Sequence, residues 1–137
     1  MESARSNSPV ICIVDDDEAV RDSMHALLVT RGLGVKTFES AKSFLIDGDE
    51  HDCHCLLIDM HMPEMTGLAL LTVLRERGNR APAIVITAGG DSALAEQVER
   101  AGAMGLLHKP VGEDELFAWV DRALAAMTAD CCGSAAP

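Results

Sequence analysis

The sequence contains no tyrosine, three phenylalanines and a single tryptophan in 137 residues. Its core therefore cannot be built on aromatic rings. Filling falls to Val, Leu, Ile, Ala and seven methionines, the last adaptable enough to close irregular gaps. Basic residues are also scarce: 11 Lys plus Arg stand against 22 Asp plus Glu, a formal net charge of -11. Nucleic-acid binding rests on neutralising phosphates with cations, so no direct nucleic-acid contact is expected. The balance suits a basic protein partner, or a cation held among carboxylates. No apolar run reaches the roughly 18 residues of a spanning helix, so no membrane partner is expected. The polar residues 1–9 lack the apolar middle of a signal peptide. Cysteine is odd in number, at five. Cys12 and Cys55 sit in apolar surroundings where a thiol behaves as a small hydrophobe, and a reducing cytoplasm is the expected setting.

The length fits one domain, which at this size buries roughly two-thirds of the surface its unfolded chain exposes. Residues 1–8 read as a disordered lead, 9–127 as the domain and 128–137 as a flexible tail. Strands are predicted at 10–14, 35–38, 55–58, 83–87 and 105–108. Those at 10, 55 and 83 are continuously apolar, as in strands covered on both faces of a parallel sheet. Helical stripes lie between them. Val20, Met24, Leu27, Leu28 and Arg31 form one, stopped by Gly32. Leu68, Leu71 and Leu74 or Arg75 form another, with Thr66 as its N-cap. Leu94, Val98 and Ala101 precede Gly102, and Leu116, Val120, Ala123, Leu124 and Met127 make the last. Five strands alternating with five helices imply a doubly wound α/β sandwich. In such sheets function collects beyond the carboxyl ends of the strands.

Four strand ends carry polar residues: Asp15 and Asp16, Asp59, Thr87, and Lys109. Three carboxylates cannot share a crevice fully ionised without compensation. One lysine does not balance them, so a divalent cation is the natural second partner. Oxygen ligands of this kind suit Mg²⁺, which keeps waters and bridges to phosphate oxygens. A carboxylate beside Mg²⁺, a lysine and a threonine hydroxyl is the equipment of phosphoryl transfer with aspartate as nucleophile.

Alone, each residue has an ordinary reading. An acidic run such as 15–18 is usually a helix N-terminus favoured by the dipole, Asp59 a loop cap, Thr87 a strand-end hydroxyl, Lys109 a surface charge. Together, at four strand ends, they do not. Val14-Asp15-Asp16-Asp17-Glu18, Asp59-Met60-His61-Met62-Pro63-Glu64-Met65-Thr66-Gly67, Val85-Ile86-Thr87-Ala88, and Ala101-Gly102-Ala103 followed by Lys109-Pro110 occur in order over residues 9–127. In these motifs the chain resembles the receiver domain of bacterial two-component response regulators, closest to the FixJ-like subgroup. The resemblance implies a flavodoxin-like sheet of order 2-1-3-4-5. It implies that Asp59 accepts phosphate from a sensor histidine kinase or a histidine phosphotransfer protein, with no separate enzymatic activity. Asp16, Asp59 and the backbone carbonyl of His61 would ligate Mg²⁺, and Asp15 would act through a water. Thr87, Lys109 and the backbone N–H of Ala88 would contact the phosphoryl group. Lys109-Pro110 is where family members carry a cis peptide.

Two positions depart from the family: Leu106 stands where an aromatic switch residue is common, and Val111 where Phe is. The readout, to an output protein the sequence does not name, is then expected to use another anchor. The surface of Leu94–Arg100, Leu106 and Trp119, the face of the fourth helix, fifth strand and fifth helix, is a candidate output or homodimer face. The domain could stand alone or form the receiver portion of a longer DNA-binding transcriptional regulator. An aspartate-nucleophile phosphatase is a minor alternative, for which His61 occupies the position of the usual second acid. His51, Cys53, His54 and Cys55 invite a metal or thiol sensor. Strand alternation would turn Cys53 and Cys55 the same way with His54 opposite, which favours an ordinary loop-to-strand junction. Cys131-Cys132 reads as incidental. The His61 side chain is expected at the mouth of the crevice.

Overall fold

A computed structural model of the chain describes residues 9–48, 53–89 and 92–135. The lead read at 1–8, and His51, lie outside the described residues. In chain order the elements are β1 (Val10–Val14), α1 (Glu18–Val29), β2 (Gly34–Phe38), α2 (Ala41–Asp47), β3 (Cys55–Asp59), α3 (Gly67–Glu76), β4 (Ala83–Thr87), α4 (Ser92–Arg100), β5 (Gly105–His108) and α5 (Glu113–Ala135). The five strands pair in parallel in the order β2-β1-β3-β4-β5.

The apolar runs are continuous where the sheet is covered twice. Every residue of β3 and β4 is buried, while the edge strands β2 and β5 are only partly so. Side-chain alternation then divides the interior into two cores. Ile11, Ile13, Leu57, Ile84, Ile86 and Leu107 pack against Met24 and Leu28 of α1 and Leu116, Val120 and Ala123 of α5. Cys12, Val14, Leu56, Ile58 and Val85 pack on the opposite face against Phe44 of α2, Leu70, Leu71 and Leu74 of α3, and Leu94 and Val98 of α4. Each fully buried aliphatic side chain contributes roughly 1.5–3 kcal/mol of transfer free energy, so these two layers fix the strand register. That register aligns the carboxyl ends: Val14 sits opposite Ile58, Asp59 opposite Ile86, and Thr87 opposite His108.

Local signals behave as their chemistry requires. Gly32 ends the α1 turn at φ 77°, and Thr66 Oγ1 caps α3 by accepting from Ala69 N at 3.1 Å. In the acidic run, Asp17 is the cap: its carboxylate accepts from Ala19 N at 2.9 Å and Val20 N at 3.4 Å. The dipole reading of that run thus holds for Asp17, and leaves Asp15 and Asp16 for the crevice. α5 continues to Ala135, so the segment read as a tail from 128 begins, in its backbone, as helix.

The cysteines require a correction. Cys12 and Cys53 form a disulfide, with their Cα atoms 6.0 Å apart; Cys12 is not the free apolar thiol expected. Nor do Cys53 and Cys55 face the same way. His54 lies in a bend before β3, so strict alternation has not begun, and Cys53 joins the Cys12 core while Cys55 joins the other. Cys55 is a buried free thiol, pushed up to about 12 by burial. His54 Nδ1 accepts from Val10 N at 2.9 Å. The grouping of Cys53, His54 and Cys55 as one metal site is therefore overturned: their donors are committed or lie on opposite faces of the sheet.

Candidate functional site

The aligned strand ends bring Asp15, Asp16, Asp59, Thr87 and Lys109 to one edge of the sheet. Asp15 and Thr87 are fully buried and Asp59 is 2% exposed, whereas Asp16 is open to solvent. Carboxylate oxygens of Asp15, Asp16 and Asp59 lie within 4.8 Å of one another. Lys109 Nζ bridges the two buried acids, 3.3 Å from Asp15 Oδ2 and 3.3 Å from Asp59 Oδ1. The peptide between Lys109 and Pro110 is cis.

This charge balance is incomplete. Burial, with the Asp15 charge beside it, pushes the Asp59 carboxyl up to about 6 despite the opposing pull of Lys109. For Lys109, burial works to lower the pKa, but the Asp15 and Asp59 charges together outweigh it and raise it. Asp15 Oδ1 accepts from Asp17 N at 2.8 Å. Its Oδ2 is the one buried side-chain oxygen or nitrogen among the described residues without a counted hydrogen bond, its neighbour being the Lys109 ammonium at 3.3 Å. A buried oxygen lacking a donor, within a set of hard carboxylate oxygens, fits a Mg²⁺ site.

The loop after β3 is held by backbone and packing. Met60 N donates to Ile86 O at 2.7 Å, Gly67 N to Met60 O at 3.0 Å, and Met62 is buried. Glycine is needed at 67 because a Cβ there would press on the Asp59 carbonyl oxygen and the Ile58 side chain. Glu64 has φ 72° and is spanned by a Met65 N–H to Pro63 O bond of 2.7 Å, a strained three-residue turn. His61, at the exposed surface, places Nε2 3.3 Å from Thr87 Oγ1. Thr87 Oγ1 also accepts from Gly89 N at 3.0 Å. Ala88 follows at the exposed end of β4.

A family model for the response regulator receiver domain matches residues 11–121. The chain belongs to this family. The receiver is 41% identical over 115 residues to the response regulator protein TodT of Pseudomonas putida, a match covering 84% of this chain and 51% of TodT. It is 39% identical over 112 residues to the transcriptional regulatory protein FixJ of Azorhizobium caulinodans, covering 82% and 53%. The chain thus spans about half the length of these curated relatives. Among solved structures it resembles the response regulator StyR (TM-score 0.84, 32% identity, 93% of this chain and 64% of that one) and FixJ-N (TM-score 0.77, 34% identity, 87% and 95%). As a receiver it is a signalling switch rather than a conventional enzyme.

Two features near the site were not legible in the sequence. An open groove of about 470 Å³ beside Lys109 is lined by Val20, Ser23, Met24, Leu27, Pro110 and Val111. It arises from how α1 meets the turn after β5, which no local pattern encodes. Arg21 Nη1 donates to Asp15 O at 2.6 Å, tying α1 to the acidic turn. On the candidate output face, Leu94 and Val98 point inward and are buried. The apolar groups left toward the β5 edge are the half-buried Leu106 and Trp119. Trp119 covers Gly105, where a Cβ would enter its ring, and carries the Arg122 guanidinium 4.9 Å from its centroid.

Proposed function

We propose that this receiver accepts a phosphoryl group on Asp59 from the phosphohistidine of a sensor kinase or phosphotransfer protein in the cytoplasm. The observation that carries the reading is the Lys109 bridge between two buried carboxylates at 3.3 Å each, beside an Asp15 oxygen without a hydrogen bond. An Asp59 oxygen attacks phosphorus in line, the P–N bond to the donor histidine breaks, and its electron pair returns to the imidazole. The product is an acyl phosphate. Lys109 donates to the phosphoryl oxygens, as do the Thr87 hydroxyl and the Ala88 N–H. Asp16, Asp59 and the His61 carbonyl would hold Mg²⁺, with Asp15 through a water; the ion would neutralise charge on the transferring oxygens. Water later cleaves the acyl phosphate without a second enzyme.

The groove beside Lys109 gives the donor protein an apolar surface next to the reacting carboxylate. Output passes to a protein partner or a second copy of the domain through the α4–β5–α5 edge, with Trp119 as its anchor. A second reading rests on relatives named as transcriptional regulators, such as FixJ, of which this chain covers about half: the receiver would then govern a DNA-binding output beyond its own residues. Transfer from candidate kinases tests the central claim. Labelling that requires Mg²⁺ and is abolished by EDTA is expected; equal labelling with and without the ion would contradict it.

A further inference from the structure

We infer that His61 is a positioning residue, whose ring orients the Thr87 hydroxyl so that its proton faces the phosphoryl site. The inference rests on the receiver reading and deepens it. A threonine hydroxyl has one proton and two lone pairs. Gly89 N–H occupies one lone pair at 3.0 Å. His61 Nε2, 3.3 Å from the same oxygen, either receives the proton or fills the second lone pair. The crevice decides. Asp15, Asp16 and Asp59 are acceptors with Lys109 as the cation among them, and a phosphoryl group adds further acceptors. The hydroxyl proton therefore belongs on the crevice side, and Nε2–H is the donor to Oγ1. With both lone pairs occupied, the only bond Thr87 has left to make is the one a phosphoryl oxygen needs.

The loop places the ring for this role. Met60 is pinned to β4 through Ile86 O, Met62 is buried, and Gly67 N closes the loop on Met60 O. His61, between two anchored methionines, is the residue whose side chain reaches the end of β4. Preorganising a donor in this way lowers the cost of binding charge that develops later.

The test compares His61→Leu, which has no hydrogen-bonding group, with His61→Gln, which retains an N–H donor. Two quantities are read: the Thr87 χ1 rotamer, from scalar couplings by NMR in metal-free protein, and the affinity for beryllofluoride at saturating MgCl₂. Loss of one neutral hydrogen bond corresponds to roughly a three- to tenfold change in affinity. The leucine variant is expected to average the Thr87 rotamer and weaken beryllofluoride by about that factor, while glutamine restores both. In a Thr87→Ala background the leucine substitution should have no further effect, since His61 acts through Thr87. A single Thr87 rotamer with undiminished affinity in His61→Leu overturns the inference, as does a glutamine variant as impaired as leucine. Wild-type protein that ignores beryllofluoride as completely as Asp59→Asn overturns the receiver reading itself, and the role of His61 with it.

Discussion

At the scale of single residues, the site is a place where stability has been given up. Asp59 has its carboxyl pushed up to about 6 by burial and the Asp15 charge, from an ordinary value of 3.8. The folded state then binds the Asp59 proton more tightly than the unfolded chain does. Its contribution is present at low pH and is lost as pH rises from about 4 to about 6. In metal-free protein, urea unfolding should show this loss in the wild type and not in Asp59→Asn, leaving the variant more stable at pH 7.5 by about 1–3 kcal/mol. Equal stabilities across that range would show that the crevice does not strain the carboxylate. Gly67 is the second sensitive residue. Its Cβ space is occupied by the Asp59 carbonyl and Ile58, so Gly67→Ala should cost roughly 1–3 kcal/mol by overpacking and also slow phosphorylation, both measurable on one preparation.

At the scale of elements, the strands were the most legible part of the chain. Leu56-Leu57-Ile58 and Ala83–Thr87 are continuously apolar because β3 and β4 are covered on both faces. Asp59 and Thr87 could be placed because each ends such a run, and Lys109 because it directly follows the last, shorter strand. Thr66 and Gly32 were legible because caps depend on nearest neighbours. The Cys12–Cys53 bond was not, since the bend at His54 breaks the alternation on which the facing of Cys53 was judged. The contact of His61 with Thr87 joins the loop after β3 to the end of β4, 26 residues apart; sequence placed His61 at the mouth of the crevice but could not name its partner. The disulfide closes a loop with a sequence separation of 41. Chain entropy gives such a bond about 2–4 kcal/mol, so reductant should lower the urea midpoint, and Cys12→Ala should remove that sensitivity. α1 carries a different prediction. Ser23 is exposed and lines the groove beside Lys109. Ser23→Glu should leave folding within about 0.5 kcal/mol of wild type. It should slow transfer from a kinase several-fold while sparing transfer from a small phosphodonor. Equal slowing with both donors would remove the groove from donor recognition.

At the scale of the whole molecule, the parallel sheet with helices on both faces gathers four distant stretches of chain at one edge. The net charge of -11 gives the molecule a negative field, which favours a basic partner surface and weakens with added salt. Within it, Lys109 together with a bound divalent cation would make three clustered carboxylates compatible with an incoming anion. The family membership supports this picture for the fold and the switch class, while the chemistry at Asp59 stands on the geometry. It is tested most directly by locating the phosphate. After transfer from a histidine kinase in Mg²⁺, borohydride reduction converts an aspartyl phosphate to homoserine, which peptide mass spectrometry places in the sequence. The account predicts homoserine at position 59 and none in Asp59→Asn. Homoserine at Asp15 or Asp16, or an unmodified position 59 in labelled protein, would contradict it.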